Sequence, residues 1–401
     1  MEHVPKGCRS TALALVSLLF GAALTAPTDA AAATPLAWEQ WRHEQAVVDV
    51  AGPLRSGDLV VAAGPHLYRV RPDGTQSELS PAYSAQPFAP PSGAEPYIAV
   101  VPSDPTGRWF GFATDTVFAI RPASPSAVIR IAPGGNPSIV ALLPQAGSLN
   151  GIALDTAGRF GHRLLVSGSL PGGHTAVVAL DVNGNQTTLT TTAPVFEGGL
   201  TVAPMSFPKF GGDLIAPDEL TGRVLAIGPT GASSLVADSS APSGQDTGVE
   251  GAAFVPSGFL SAGTAYTADR ATPGNPHPGT DTLLRLQAAA FAAAGVSEGD
   301  LLLSTEASDR IVDIRCAPDC SAHTIGMGQS VAHGEGHLLL VPGGAAAART
   351  PSASPLPASV AAAGGGGVPL VPVVLAAAAL VLAFGWLGGR WFRRRRPSSD
   401  A

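Results

Sequence analysis

The feature that most constrains this chain is a repeat. Three segments with one plan open near residues 149, 198 and 249, a spacing of about 50. The first opens Leu149-Asn150-Gly151-Ile152-Ala153-Leu154, the second Gly199-Leu200-Thr201-Val202-Ala203, the third Val249-Glu250-Gly251-Ala252-Ala253-Phe254. Further short apolar runs follow each opening: 163–167 and 176–180, then 212–216 and 222–227, then 264–269 and 282–286. Gly, Asp and Pro separate them, and 48 Gly and 37 Pro in 401 residues supply turns throughout. Runs this short, bounded by turn residues, are strands. Three or four strands per unit of this length is the pattern of a propeller blade. Weaker copies occur at 57–70, at 97–120 (with Trp109-Phe110-Gly111-Phe112 as its second run), at 300–314 and at 336–341. The expectation is an all-β chain: a β-propeller over 44–343, six blades of four antiparallel strands, seven being possible. A β-sandwich with a small second domain is the alternative, but it gives less reason for one opening to recur every 50 residues. The string Gln287 to Gly295 is the one helix-like insert.

Charge excludes some functions. Away from the two termini, 16 basic residues face 27 acidic ones, with no basic cluster. Nucleic-acid binding, which rests on neutralising phosphates, is therefore not expected. Only 13% of the residues are charged and 45% are hydrophobic, too apolar for a disordered chain.

The two ends read as addresses. Residues 1–33 carry Lys6 and Arg9, then an apolar core from Thr11 to Leu24, then small residues through Ala33, the pattern of a signal peptide. Residues 368–389 contain no charge and are long enough to cross a bilayer as a single helix. Arg390 and Arg393 to Arg396 follow in the 390–401 tail, which the positive-inside rule keeps cytoplasmic. The Ala/Gly/Ser/Pro-rich stretch 344–367 reads as a disordered stalk. The chain is thus expected at the bacterial cell surface, its bulk outside and one span in the membrane. The C-terminal end also resembles bacterial sorting signals, which implies a processing enzyme as a possible partner.

Propeller geometry narrows the chemistry. Adjacent strands in a blade are antiparallel, so starts of first strands and ends of second strands share a face. Asn150, Glu197, Glu250, His333 and Glu335 stand at first-strand starts; Asp218, Asp269 and Glu306 stand at second-strand ends. Oxygen donors of this kind suit calcium or magnesium, so Asn150, Glu250, Glu197, Asp218 and Asp269 are the candidate metal ligands. The bland reading is that each acid caps a turn or pairs with an arginine, as Asp269 with Arg270. His333 and His337 lie too far apart along a strand to share one zinc ion. Cys316 and Cys320 are expected to form a disulfide in an oxidising compartment.

The strings Leu149-Asn150-Gly151-Ile152-Ala153 and Gly212-Asp213-Leu214-Ile215-Ala216-Pro217-Asp218 resemble gluconolactonase-like propellers (the senescence-marker-protein group) and NHL propellers. The resemblance spans roughly 149–341. It implies a divalent metal, often calcium, in the central channel, and carries over only Asn150 as a ligand. Two functions stay open. One is a surface binding module for a protein or glycan. The other is a metal-dependent lactone or ester hydrolase.

Overall fold

The computed structural model describes residues 36–344 except 104–110, 124, 242, 245–246 and 328–332, and only the backbone of 308, 309 and 327. The signal, span and tail, and all but the first residue of the stalk, lie outside the described residues. Among those described, no helix is long and apolar enough to cross a membrane.

The protein is a six-bladed β-propeller with four antiparallel strands in each blade. Strand β1 (Glu39–His43) belongs to the last blade. Blade one is β2 (Val47–Ala51), β3 (Leu59–Ala63), β4 (His66–Val70) and β5 (Gln76–Glu78). Blade two is β6 (Ile98–Val100), β7 (Val117–Arg121), β8 (Ala127–Ile131) and β9 (Pro137–Leu142). Blade three is β10 (Ser148–Leu154), β11 (Leu164–Leu170), β12 (His174–Leu180) and β13 (Gln186–Ala193). Blade four is β14 (Thr201–Val202), β15 (Leu214–Asp218), β16 (Arg223–Ile227) and β17 (Ser233–Asp238).

The last two blades are interleaved. The chain lays down β18 (Val249–Phe254), the innermost strand of blade five, then leaves for β19 (Thr264–Asp269) and β20 (Thr282–Gln287) in blade six. It returns for β21 (Leu301–Thr305), β22 (Ser308–Cys316) and β23 (Cys320–Met327), and ends with β24 (Gly334–Val341), innermost in blade six. Strand β1 pairs with β20 and closes the ring from the outside. The third sequence unit is therefore not one blade: 249–254 and 264–287 lie in different sheets. The propeller also begins before residue 44, at β1. Among the described residues of 97–120 there are two strands; Trp109 and Phe110 of the expected run lie outside the described residues, and Gly111 and Phe112 lie in a turn and loop, where Phe112 packs edge-on against Phe118. Helix α1 (Phe259–Ala262) joins the expected helix, α2 (Ala288–Ala293), and Phe259 packs on Phe291.

The inner and middle strands read as continuous apolar runs because both faces of each sheet are covered by neighbouring blades. LVVAA of β3 is buried at all five positions, as is VFAIR of β7. The core is correspondingly a set of layers between successive blades, such as Ile129 and Val60 between blades one and two, or Ile152, Val166 and Ile120 between two and three.

Candidate functional site

The six innermost strands run in one direction, so the disc has an entry face, where they begin, and an exit face, where they end. Side chains from opposite blades meet on the axis between them.

The layer nearer the entry face is acidic. Tyr97, just before β6, reaches across the disc: its hydroxyl lies 2.6 Å from Glu335 Oε1 and 3.2 Å from Glu250 Oε1. Glu250 also accepts the Gly336 N–H at 3.2 Å. Arg270 donates to Glu335 Oε2 at 3.0 Å and to Glu95. His333 Nε2 lies 3.3 Å from Glu306 Oε1 and 3.8 Å from Glu335 Oε2. Glu250, Glu306, His333 and Glu335 are all buried. Burial, together with Glu335 and Glu306 beside it, holds the Glu250 carboxyl far above its ordinary range. Burial and Glu95 push Glu335 up to about 8 against the pull of Arg270. Burial and the same glutamates raise the Tyr97 hydroxyl.

A second layer lies deeper. Asp49 is fully buried and accepts N–H groups from Val50, Ile98 and His337 at 2.7–2.8 Å. The His337 ring faces Asp49 Oδ2 through Nδ1 at 2.9 Å and the Ile152 carbonyl through Nε2 at 3.1 Å. Burial alone would lower its pKa; the Asp49 charge and hydrogen bond outweigh it and raise it. Both ring nitrogens face acceptors, an arrangement that favours the doubly protonated ring. His337 thus spans from blade six to blade three, as Tyr97 spans from two to five. Glycines let the backbones come this close: a Cβ on Gly336, at φ +66°, would lie 2.6 Å from Asp49 Oδ1.

The axis is therefore filled at two levels, and a cavity remains on each side. The entry-face pocket, about 360 Å³, is lined by Glu95, Ser148, Asn150, Ser169 and Glu197, among others. The exit-face funnel is about 760 Å³ and draws on the second half of every innermost strand: Val50, Val100, Leu154, Val202, Phe254 and Leu340. His337 lies at its floor.

The candidate ligands are dispersed in this frame. Glu250 is on the axis. Asn150 and Glu197 line the entry pocket. Asn150 donates to Ser169 Oγ and the Phe196 carbonyl, and accepts from Ser167 Oγ at 2.8 Å. Asp218 caps its own turn through Leu220 and Thr221. Asp269 lies behind His333, accepting its backbone N–H at 2.9 Å and the Thr280 hydroxyl. Arg270 pairs with glutamates rather than with Asp269. The resemblance implies a cation held by Asn150; the Asn150 oxygen accepts from Ser167, and Glu250, at the axis, is bonded to Tyr97 and Gly336. Sequence reasoning missed Asp49, Tyr97 and the bridging role of Arg270. Asp49 did carry a signal, as one charge inside the apolar run Val47-Val48-Asp49-Val50-Ala51. Cys316 and Cys320 are disulfide-bonded across the end of the β22–β23 hairpin.

Comparison of the sequence with protein families and with curated proteins finds no match. Among solved structures, the chain is similar to an inactive virginiamycin B lyase from Staphylococcus aureus with quinupristin (10% identity, 72% of this chain and 73% of that chain, TM-score 0.41). It is similar to a putative TolB from Agrobacterium tumefaciens (11%, 73% and 83%, TM-score 0.42) and to a putative gluconolactonase (17%, 58% and 71%, TM-score 0.35). At these values the likeness is one of fold alone.

Proposed function

We propose that this protein is an exported, membrane-anchored binding module of the bacterial cell surface, which takes an apolar segment of a protein partner into its exit-face funnel. One contrast carries the reading. The polar groups on the axis are engaged with one another across the disc, whereas the larger cavity is lined mainly by aliphatic side chains. Ligand sites of that kind are concave and mostly apolar. Export and anchoring are supported by the signal-like 1–33 and the uncharged 368–389 with its arginines. A hydrolase of the channel-metal type needs an open metal to polarise a carbonyl and activate water, and the engaged Asn150 and filled axis do not favour it.

The test is photo-crosslinking on intact cells that express the full chain. A crosslinker at exposed Ser206, on the funnel rim, is expected to give a discrete adduct. Thr201→Trp, which fills the funnel, is expected to remove that adduct, and a crosslinker at Asp73 in an outer turn to give none. Turnover of a lactone or ester that Glu250→Gln abolishes would replace this reading with the hydrolase. Protease added to the same cells is expected to remove the propeller and spare a tag placed after Ala401; a protected propeller overturns the topology.

A further inference from the structure

We propose that Glu306, His333 and Glu335 form a divalent transition-metal site at the entry-face seam between blades five and six, separate from the funnel. One ligand atom from each of the three lies within 4.8 Å of the others. That spacing suits metal–ligand bonds of about 2.0–2.2 Å. All three residues are buried.

The surroundings are built to hold these residues in place. The Glu306 backbone is fixed at both ends, its N–H bonded to the Gly248 carbonyl and its own carbonyl accepting the Gly334 N–H, each at 2.8 Å. The His333 backbone is fixed likewise, its N–H on Asp269 Oδ1 and its carbonyl accepting the Arg270 N–H, each at 2.9 Å. The Glu335 carboxylate is oriented by Tyr97 on one oxygen and Arg270 on the other. Ligands oriented by such outer contacts are characteristic of metal sites. A carboxylate oxygen has lone pairs enough to accept from Arg270 and bind an ion as well. Charge points the same way. Arg270 pairs with Glu95 and Glu335, with Glu250 and Glu306 close by, and a dication would offset that crowding of carboxylates.

The donor set selects the ion. One imidazole nitrogen with two carboxylates suits zinc or manganese. Calcium takes oxygen ligands and has no use for His333. The ion would bind a β21–β22 turn residue of blade five to the start of β24 in blade six, where the chain crosses between blades.

The experiment uses the full chain in detergent, stripped with chelator and titrated with Co²⁺. One equivalent is expected to bind with a visible absorption band, to be displaced by Zn²⁺ and to resist a large excess of Ca²⁺. Glu306→Gln and His333→Gln are each expected to weaken binding by at least about 100-fold, because loss of an outer contact alone costs about 10–100-fold. His66→Gln, in the surface pair with Glu78, is expected to leave binding unchanged. No bound Co²⁺, displacement by Ca²⁺, or wild-type affinity in Glu306→Gln overturns the site. If His333→Gln fails to fold, the wild-type stoichiometry and the near-isosteric Glu306→Gln decide the matter, and funnel crosslinking at Ser206 proceeds in either case.

Discussion

Blades one to four are each built from one contiguous stretch of chain, whereas blades five and six exchange strands. In blade three, β10 to β13 follow one another and every pairing is a hairpin. In blade five, β18 waits for β21 until the chain has crossed to blade six and back. The same antiparallel sheet results, but with different coupling. A contiguous blade makes most of its contacts within itself. The interleaved pair cannot lose one sheet without dragging the connections of the other, and it carries the closure of the whole ring through β24 and β1.

The largest effect should therefore differ in reach rather than in size. Leu303 in β21 and Leu165 in β11 are both second-strand leucines, both fully buried, and each packs in a layer shared with blade four. Truncation of either to Ala should cost about 2–5 kcal/mol. Native-state hydrogen exchange should then separate them. Leu303→Ala is expected to lower protection in β19 and β20, in the adjacent sheet, as much as in β22. Leu165→Ala should act mainly on blade three. Equal spread from both sites would show that the interleaving adds no coupling.

A second comparison uses two glycines one hundred residues apart in the repeat. A Cβ on Gly251 would lie 2.5 Å from the Gly336 carbonyl oxygen and 2.8 Å from the Leu338 nitrogen, both backbone atoms of β24. A Cβ on Gly151 would meet Ser167 Oγ and Leu200 Cδ1 at 2.6 and 2.7 Å, both side-chain atoms. Side chains can turn aside and a paired strand cannot. Gly251→Ala is expected to cost about 3 kcal/mol and Gly151→Ala about 1, within the usual range for overpacking. Denaturant unfolding of the two variants reads the difference, and a smaller cost at Gly251 would mean that β24 is not fixed at the axis.

These positions also show where the sequence was legible. Blade count and strand type came through because a strand covered on both faces writes a continuous apolar run, as in Leu214-Ile215-Ala216, and turn residues punctuate the runs. The crossing left no mark, because Thr264 to Asp269 reads as a strand whichever sheet it joins. Residue type and face found Glu250, Glu306, His333 and Glu335. Their partners were not legible: Tyr97 meets Glu250 and Glu335, and Asp49 meets His337, from blades distant in sequence, and only closure of the ring sets that geometry. The string around Asn150 resembled a ligand-bearing strand, but the hydrogen bonds of its amide to Ser167, Ser169 and Phe196 were not legible in that string.

The two regions should also respond to acid with opposite sign. Asp313 in β22 is buried, which, with Asp300 nearby, raises its pKa to about 6 despite Arg315. An acid that holds its proton more tightly when folded destabilises the fold once ionised. The contribution is absent below about pH 4 and grows as pH rises to about 6, reaching up to about 3 kcal/mol. Asp181 in blade three is lowered instead, by hydrogen bonds from Asn185, so its contribution is present at neutral pH and lost as pH falls through its depressed value. Asp313→Asn is expected to gain stability relative to wild type between pH 4 and pH 7, and Asp181→Asn to lose it over the acid limb. Parallel curves for Asp313→Asn and wild type would mean that the carboxyl titrates normally.

The smallest effect concerns how the two regions close the same hairpin. In blade three the β12–β13 turn is held by Asp181, whose carboxylate accepts the N–H groups of Asn183 and Asn185 at 2.9 Å and the Asn185 amide at 2.7 Å. In blade five the β22–β23 turn is held by the Cys316–Cys320 bond, with Lys209 pairing to Asp319 from outside. The disulfide joins residues only four apart, and a closed loop that short removes little freedom from the unfolded chain, worth about 2 kcal/mol in the chain-entropy account. The hydrogen-bonded turn lies at the surface, where such bonds contribute less. Replacing both cysteines by serine should therefore lower stability by about 2 kcal/mol or less, and Asp181→Ala by less than that, read from denaturant midpoints at constant slope. A loss well beyond that in the cysteine variant would mean that the bond holds β22 and β23 in register, which would make the interleaved pair of blades the weaker part of the ring.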